Sequence, residues 1–217
     1  MPLVLDIHGY SSFAAEQLDR SKWDDMADSE TFVVVAPDGV DKAWNAGGLG
    51  NANIDDVGFI RTVVEDVATK LCIDEKRVYA TGHSNGGAMT HKLGCEAADL
   101  FAAIAPICGW TSGSCNPSRP IAVAAVRALE DSTVQYNGGG IAPSAEADLA
   151  VWLEADECAD MPVVSSHDDV CTTHTECVSG TQVMECHPHG NHDFFYATDN
   201  LLVPDTVWPF FKQFALP

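Results

Sequence analysis

Positive charge is scarce in this chain of 217 residues. Eleven Lys and Arg face 32 Asp and Glu, a formal charge of −21. Without clustered Lys and Arg there is little to neutralise phosphates, which argues against nucleic-acid binding and against docking on anionic membranes. Long apolar runs are also missing. Stretches such as Phe101–Cys108 are far shorter than a bilayer span. Gly (17) and Pro (11) are too few for a low-complexity chain, and 46% hydrophobic residues argue against general disorder. No internal repeat or long linker is present. The start, Met1-Pro2-Leu3-Val4-Leu5-Asp6, has neither the basic segment nor the cleavage site of a signal peptide.

What is present suits a single domain over residues 1–217, long enough to bury a sizeable core. A strongly acidic chain accommodates a neutral or weakly cationic ligand more easily than a polyanion. Eight Cys, an even number, point to an oxidising compartment. The expectation is a secreted or extracytoplasmic protein whose leader lies upstream of Met1.

Apolar runs alternate with helical patterns, which reads as α/β with a mostly parallel sheet. Strands are expected at Leu3–His8, Thr31–Pro37, Arg77–Thr81, Phe101–Cys108, Ile121–Leu129 and within Glu176–His187. Thr31–Pro37 is rich in β-branched residues and reads as fully buried. Helices are expected at Ala14–Met26, Asp55–Leu71, Asn85–Cys95, Ser144–Glu157 and Thr206–Phe214, with Asp38–Asn53 as a Gly- and Asn-rich loop. On the second helix Val57, Ile60, Val64, Val67 and Leu71 share one face. Its two leading aspartates suit the positive end of the helix dipole.

Gly82-His83-Ser84-Asn85-Gly86 matches G-x-S-x-G between a strand and a small-residue helix. That is the setting of a nucleophile elbow, which lifts a serine hydroxyl above the sheet. Flanking glycines permit the tight turn. A serine needs a base, and the base an orienting acid, in the chain order Ser, acid, His. Glu130 and Asp131 follow the Ile121–Leu129 strand, and His187, His189 and His192 follow the last strand. An oxyanion hole needs two backbone N–H groups. Asn85 supplies one, and Tyr10, after the His8-Gly9 turn, is the candidate for the other. Cys171-x-x-His174-x-x-Cys177 and Cys186-His187 carry zinc-ligand types, but the spacing fits no standard knuckle. No metal or organic cofactor is expected.

These motifs resemble the polyhydroxybutyrate depolymerase / feruloyl esterase family of α/β-hydrolases, the carbohydrate esterase family 1 type. The matching stretches are Pro2–Tyr10, Trp44–Gly47, Asp55–Ile60, Arg77–Met89 and Asp99–Pro106. The resemblance implies an α/β-hydrolase fold with a mostly parallel sheet of about six strands flanked by helices, lacking the first two strands of the full fold. Thr31–Pro37 would then be a sheet edge, giving a monomer or a weak homodimer through that strand. The resemblance puts Asp131 on the acid position, with Glu130 as fallback and Asp168 or Asp169 as solvated acids. It puts His192 on the base position, with His187 and His189 as lining or surface residues. The usual His-Gly before the acid is replaced by Arg127-Ala128, and the usual Trp-Pro after the base by Asp193-Phe194. Trp44 and His83 are the substrate-binding candidates, Trp44 as an aromatic wall or as a packing anchor.

The resemblance also suggests disulfides. Cys158 and Cys177 fall where the family carries a pair. Cys72 with Cys95, Cys108 with Cys115, and Cys171 with Cys186 complete the set. The implied function is a serine carboxylic ester hydrolase using an acyl-enzyme, on feruloyl-type or short-chain hydroxyacyl esters, small or polymeric. The competing readings are a non-catalytic binding protein on a hydrolase scaffold and a peptidase of related fold.

Overall fold

The computed structural model describes residues 1–160, 163–167 and 169–217, and of Val163 the backbone alone. Asp168, one of the solvated acids considered above, lies outside the described residues. The strands are β1 (Leu3–Ile7), β2 (Val33–Val35), β3 (Val78–His83), β4 (Ala103–Ile107), β5 (Ala122–Val126), β6 (Val163–Ser166), β7 (Cys171–His174) and β8 (Val183–Cys186). They form one sheet in the order β2-β1-β3-β4-β5-β8-β7-β6. The first six of that row pair in parallel, while β7 adds antiparallel to β8 and β6 antiparallel to β7. A short antiparallel hairpin follows, β9 (Phe195–Tyr196) and β10 (Leu201–Leu202).

The sheet therefore has eight strands, not about six. The six parallel strands are the ones the apolar runs announced. The two additions, Val163–Ser166 and Cys171–His174, carry no apolar run because they sit at the edge and are largely exposed or half-buried. At the other end β2 is the edge, as expected. It is only three residues long and half-buried rather than fully buried, so it offers little backbone for pairing with a second chain.

The helices are α1 (Ala14–Ser21), α2 (Trp23–Glu30), α3 (Asp56–Lys70), α4 (Asn85–Glu96), α5 (Ala145–Ala155) and α6 (Val203–Phe211). The single helix expected at Ala14–Met26 is two, broken at Lys22, whose φ of 62° ends one helix and starts the next. Strand alternation sorts the core into two layers. Leu3, Leu5 and Ile7 pack with Ile60 and Val64 of α3, Met89 and Leu93 of α4, and Trp152 of α5. Val4 and Tyr79 face the other way, toward Trp23 of α2 and Trp208 and Phe211 of α6. Asp6 points into that second layer, where Gln17 Nε2 and Ser21 Oγ each donate to its carboxylate at 2.6 Å. Burial still pushes its pKa up to about 6.

Three disulfides form: Cys95–Cys115, Cys158–Cys177 and Cys171–Cys186. The last joins β7 to β8 across a directly opposed pair. Pairing Cys72 with Cys95 and Cys108 with Cys115 was incorrect. Cys72 is exposed beyond α3, and Cys108 is buried at the end of β4. Neighbours in sequence pointed elsewhere in space. The zinc reading falls with this, because Cys171, Cys177 and Cys186 are all consumed in disulfides.

Peptide mapping without reductant should find these three pairs and free thiols at Cys72 and Cys108. Removing one pair by Cys95→Ala with Cys115→Ala should lower the unfolding free energy by about 2–4 kcal/mol, read by denaturant titration. A second test concerns His91, buried on α4, whose Nδ1 accepts from Trp152 Nε1 at 3.0 Å. Burial lowers its pKa to about 4. The folded state thus resists a proton that the unfolded state takes, so its contribution is complete above about pH 6.5 and is lost as pH falls toward 4. Stability curves of wild type and His91→Gln should accordingly converge with acidification across that window.

Candidate active site

The candidate residues lie in loops at the C-terminal ends of β1, β3, β5 and β8, where parallel α/β sheets gather their ligand sites. Ser84 sits between β3 and α4 with φ 59° and ψ −118°, a strained conformation that non-glycine residues rarely hold. Its N–H donates to Ile107 O at 2.9 Å, which ties the turn to β4. The flanking glycines are needed for close approach. A Cβ on Gly82 would come within 2.6 Å of Gly86 O and 2.7 Å of Ile7 O, and one on Gly86 would run into the Ile7 and His8 carbonyls.

Asp131 and His192 meet. His192 Nδ1 lies 2.6 Å from Asp131 Oδ2, and the Asp131 side chain is wholly buried. Asp131 Oδ1 accepts from the backbone N–H groups of Thr133 and Val134, each at 2.8 Å. Burial alone would raise the Asp131 carboxyl. The His192 hydrogen bond and the two backbone donors outweigh it and hold the group below the usual carboxylate range. His192 Nε2 is buried and has no hydrogen-bond partner among the described residues. The serine–histidine hydrogen bond is therefore not made in this arrangement, as is common before substrate binds. The proximity of the two elements is carried by His83, next to Ser84, whose ring centroid lies 4.3 Å from that of His192.

Glu130, the fallback acid, turns away to an exposed partnership. Its carboxylate takes His189 Nδ1 at 2.9 Å and Gly190 N–H at 2.6 Å. His187 pairs with Glu185 at 2.7 Å, its ring edge-on to Tyr136. Asp169 is exposed. On the oxyanion side, Gly9 packs against the elbow, since a Cβ there would lie 3.4 Å from Ser84 Cβ. Tyr10 follows in the chain, and its side chain is 57% exposed.

Neither substrate-binding candidate presents a surface. Trp44 is 0% exposed, and its Nε1 donates to His8 O at 2.9 Å. Its backbone is clamped by the Asn85 side chain, which accepts from Trp44 N and donates to Trp44 O and Ala46 O. Trp44 is the packing anchor and not the aromatic wall. His83 is 2% exposed, held between His192 and Phe194, with ring centroids 4.3 and 4.6 Å away. It lies beneath the Asp131–His192 pair, not at the mouth. Burial, helped by nearby His192 and Arg20, lowers its pKa well below the ordinary histidine range, so it is neutral.

Several residues hold the site through contacts that sequence does not announce. Arg127, which replaces the family's His, is buried and donates to Gly109 O at 2.6 Å, Asp148 Oδ2 at 2.8 Å and Pro143 O at 2.8 Å. It also donates to Val134 O, next to the N–H that holds Asp131. The substitution is thus an anchor for the acid-bearing loop. Asn191 Oδ1 accepts from Ser132 N and from His192 N, linking the acid and base loops. Tyr196 follows the base in β9. Its hydroxyl donates to Asp193 O at 2.6 Å and meets Cys108 Sγ at 3.2 Å. Arg127 was visible as a departure from the family pattern. Nothing local marks Tyr196 or Cys108. An open cleft of about 470 Å³ borders His192, lined by Ser132, Thr133, Asn191, Phe195 and Tyr196 among others.

A mostly parallel sheet with helices on both faces, a strained serine at the end of a central strand and an Asp–His pair after later strands define the α/β-hydrolase class. The prolyl oligopeptidase family profile matches residues 29–176, and the chain belongs to that family. It is similar to feruloyl esterase B of Piromyces equi, 29% identical across the whole of this chain and 42% of that protein. It is also similar to a probable feruloyl esterase C of Aspergillus flavus, at 29% identity over 82% of this chain and 64% of that one. The chain thus spans between about two fifths and two thirds of these curated relatives. Among solved structures, the acetyl xylan esterase from Aspergillus awamori shares the fold with a TM-score of 0.72 at 15% identity, covering 97% of this chain and 88% of its own.

Arg127→Met should leave the Asp148 carboxylate buried without its counter-charge and lower stability by about 3–5 kcal/mol. Adding Asp148→Leu should recover part of that loss, as measured by chemical denaturation.

Proposed function

We propose that this protein is a serine carboxylic ester hydrolase acting on feruloyl-type esters, with short hydroxyacyl and acetyl esters as the neighbouring class. The observation that carries the reading is the 2.6 Å Asp131–His192 pair with a free Nε2, beside a serine on a strained strand-to-helix turn. The printed names of the feruloyl esterase relatives support the choice of ester.

In this mechanism Ser84 Oγ attacks the ester carbonyl while His192 Nε2 takes its proton. Asp131 keeps the Nδ1–H tautomer in place and stabilises the imidazolium that forms. Its lowered pKa keeps it ionised for that task. The N–H groups of Asn85 and Tyr10 hold the developing oxyanion at the positive end of α4. His192 returns the proton to the leaving alcohol, and water releases the acyl group by the same steps. No metal or organic cofactor takes part. The three disulfides support an oxidising, extracytoplasmic location, and no helix among the described residues is long and apolar enough to cross a membrane.

The family assignment favours one second reading, a peptidase. Both readings use the same acyl-enzyme and differ in the leaving group. A non-catalytic binding role has less support, because the two departures that suggested it, at Arg127 and Phe194, are packed parts of the site.

Hydrolysis of p-nitrophenyl acetate, p-nitrophenyl butyrate, methyl ferulate and a peptide anilide should be compared for wild type and Ser84→Ala. Ester cleavage by wild type alone is expected, with methyl ferulate preferred and fluorophosphonate labelling lost in the variant. Activity should fall on acidification, because a protonated imidazole cannot accept the serine proton. Cleavage of the anilide alone would transfer the site to the peptidase reading, and a wild type that neither hydrolyses nor labels would end both.

A further inference from the structure

Beside the base His192 lie two buried groups the esterase mechanism does not use, Cys108 and His83. Cys108 Sγ and one ring nitrogen each of His83 and His192 lie within 4.8 Å of one another. Cys108 is wholly buried, outside the three disulfides, and touches the Tyr196 hydroxyl. His83 is 2% exposed, and its Nε2 has no hydrogen-bond partner among the described residues. The same is true of His192 Nε2. Buried imidazole nitrogens are ordinarily satisfied; the base role accounts for the free His192 Nε2, and the His83 orphan beside a thiol requires a further reason. The donor set is one sulfur and two imidazoles. Those are the ligands of Zn2+ and other thiophilic d-block cations, not of Mg2+ or Ca2+.

We propose that Cys108, His83 and His192 form an inhibitory site for Zn2+ and similar soft or borderline cations. The metal would reach it from the cleft beside His192, the one of the three ligands with an accessible edge. Binding forms a metal–sulfur bond and releases the Cys108 thiol proton to solvent. The two imidazoles donate lone pairs without losing a proton. His192 then has no lone pair with which to take the Ser84 proton, so occupancy stops turnover. The fourth position remains for water or for Ser84 Oγ. Coordination requires these atoms, within 4.8 Å of one another, to draw together around the ion, while the backbone N–H groups of Thr133 and Val134 still hold Asp131. Burial pushes the Cys108 thiol up to about 12, so without metal it stays protonated and inert.

The inhibition rests on the esterase reading, whereas the metal site itself does not, and the test separates them. All proteins carry Cys72→Ser, which removes the exposed thiol. Co2+ is added as a spectroscopic probe, and Zn2+ is titrated against p-nitrophenyl acetate hydrolysis. The expected result is a sulfur-to-cobalt absorption band that is absent from Cys108→Ser, a variant that keeps a hydroxyl for Tyr196. Zn2+ inhibition reversed by chelator should need at least about tenfold more metal in Cys108→Ser, and in His83→Phe, which keeps the ring packing. A band that persists in Cys108→Ser, no band in the parent, or equal Zn2+ sensitivity in parent and variants would overturn the site. A cobalt band that behaves as expected in a protein without esterase activity supports the metal site and removes the esterase reading.

Discussion

Ser84 is held at φ 59° and ψ −118° because the backbones around it come closer than side chains allow. Gly82 and Gly86 lie against the carbonyls of Ile7 and His8, and Gly87 lies against Gly109. Strands β1, β3 and β4 and helix α4 therefore share one contact point. The register of the central sheet, the direction of α4 and the height of the serine above the sheet follow from it. A Cβ at Gly82 or Gly86 would push α4 off β1, and the strain at Ser84 would relax with it. Strain of this kind persists only where the surroundings over-determine it.

The loops that complete the site are tied by buried polar contacts more than by apolar packing. Asn85 fastens the loop carrying Trp44, and Asp56 fastens it again by accepting from Asn45 N–H at 2.6 Å. Asp55 caps α3 through Gly58 N–H, so the two aspartates at that helix start do different work. Arg127 and Asp148 tie the acid loop to α5 and, through Asp148 and Thr111 N–H, to the loop after β4. Asn191 and Tyr196 hold the base loop. The network is costly to break at Asn85, Arg127 and Asp148, where each loss leaves a buried partner unsatisfied. That is how a loop-built site keeps the 2.6 Å Asp131–His192 contact.

The family and the curated relatives point to different leaving groups on one scaffold. This is physically consistent. Acyl transfer from an ester or an amide uses the same serine, base and oxyanion donors, and the loops around them choose the acyl and leaving groups. Here the rim carries exposed aromatic surface at Tyr10 and Phe195 and much acidic charge elsewhere.

The parallel strands and the elbow at Ser84 were legible in the sequence because each rests on local pattern, whereas local pattern left Glu130 or Asp131 and His187, His189 or His192 open. Apolar β-branched runs announce buried strands, and glycine spacing announces a turn that nothing bulkier permits. The edge strands Val163–Ser166 and Cys171–His174 were not legible, because exposed strands carry no apolar run. The break at Lys22 was missed because a helix end that depends on one left-handed residue leaves the helical spacing intact. Disulfide partners, the burial of Trp44 and His83, and the anchoring by Arg127, Asn191 and Tyr196 were decided by tertiary structure alone. Each depends on which residues from distant segments meet in space, and a pairwise contact has no periodicity to read. The cluster of Cys108, His83 and His192 is the clearest case. Its members come from the ends of β3 and β4 and from the loop after β8, which become neighbours only when the sheet is assembled.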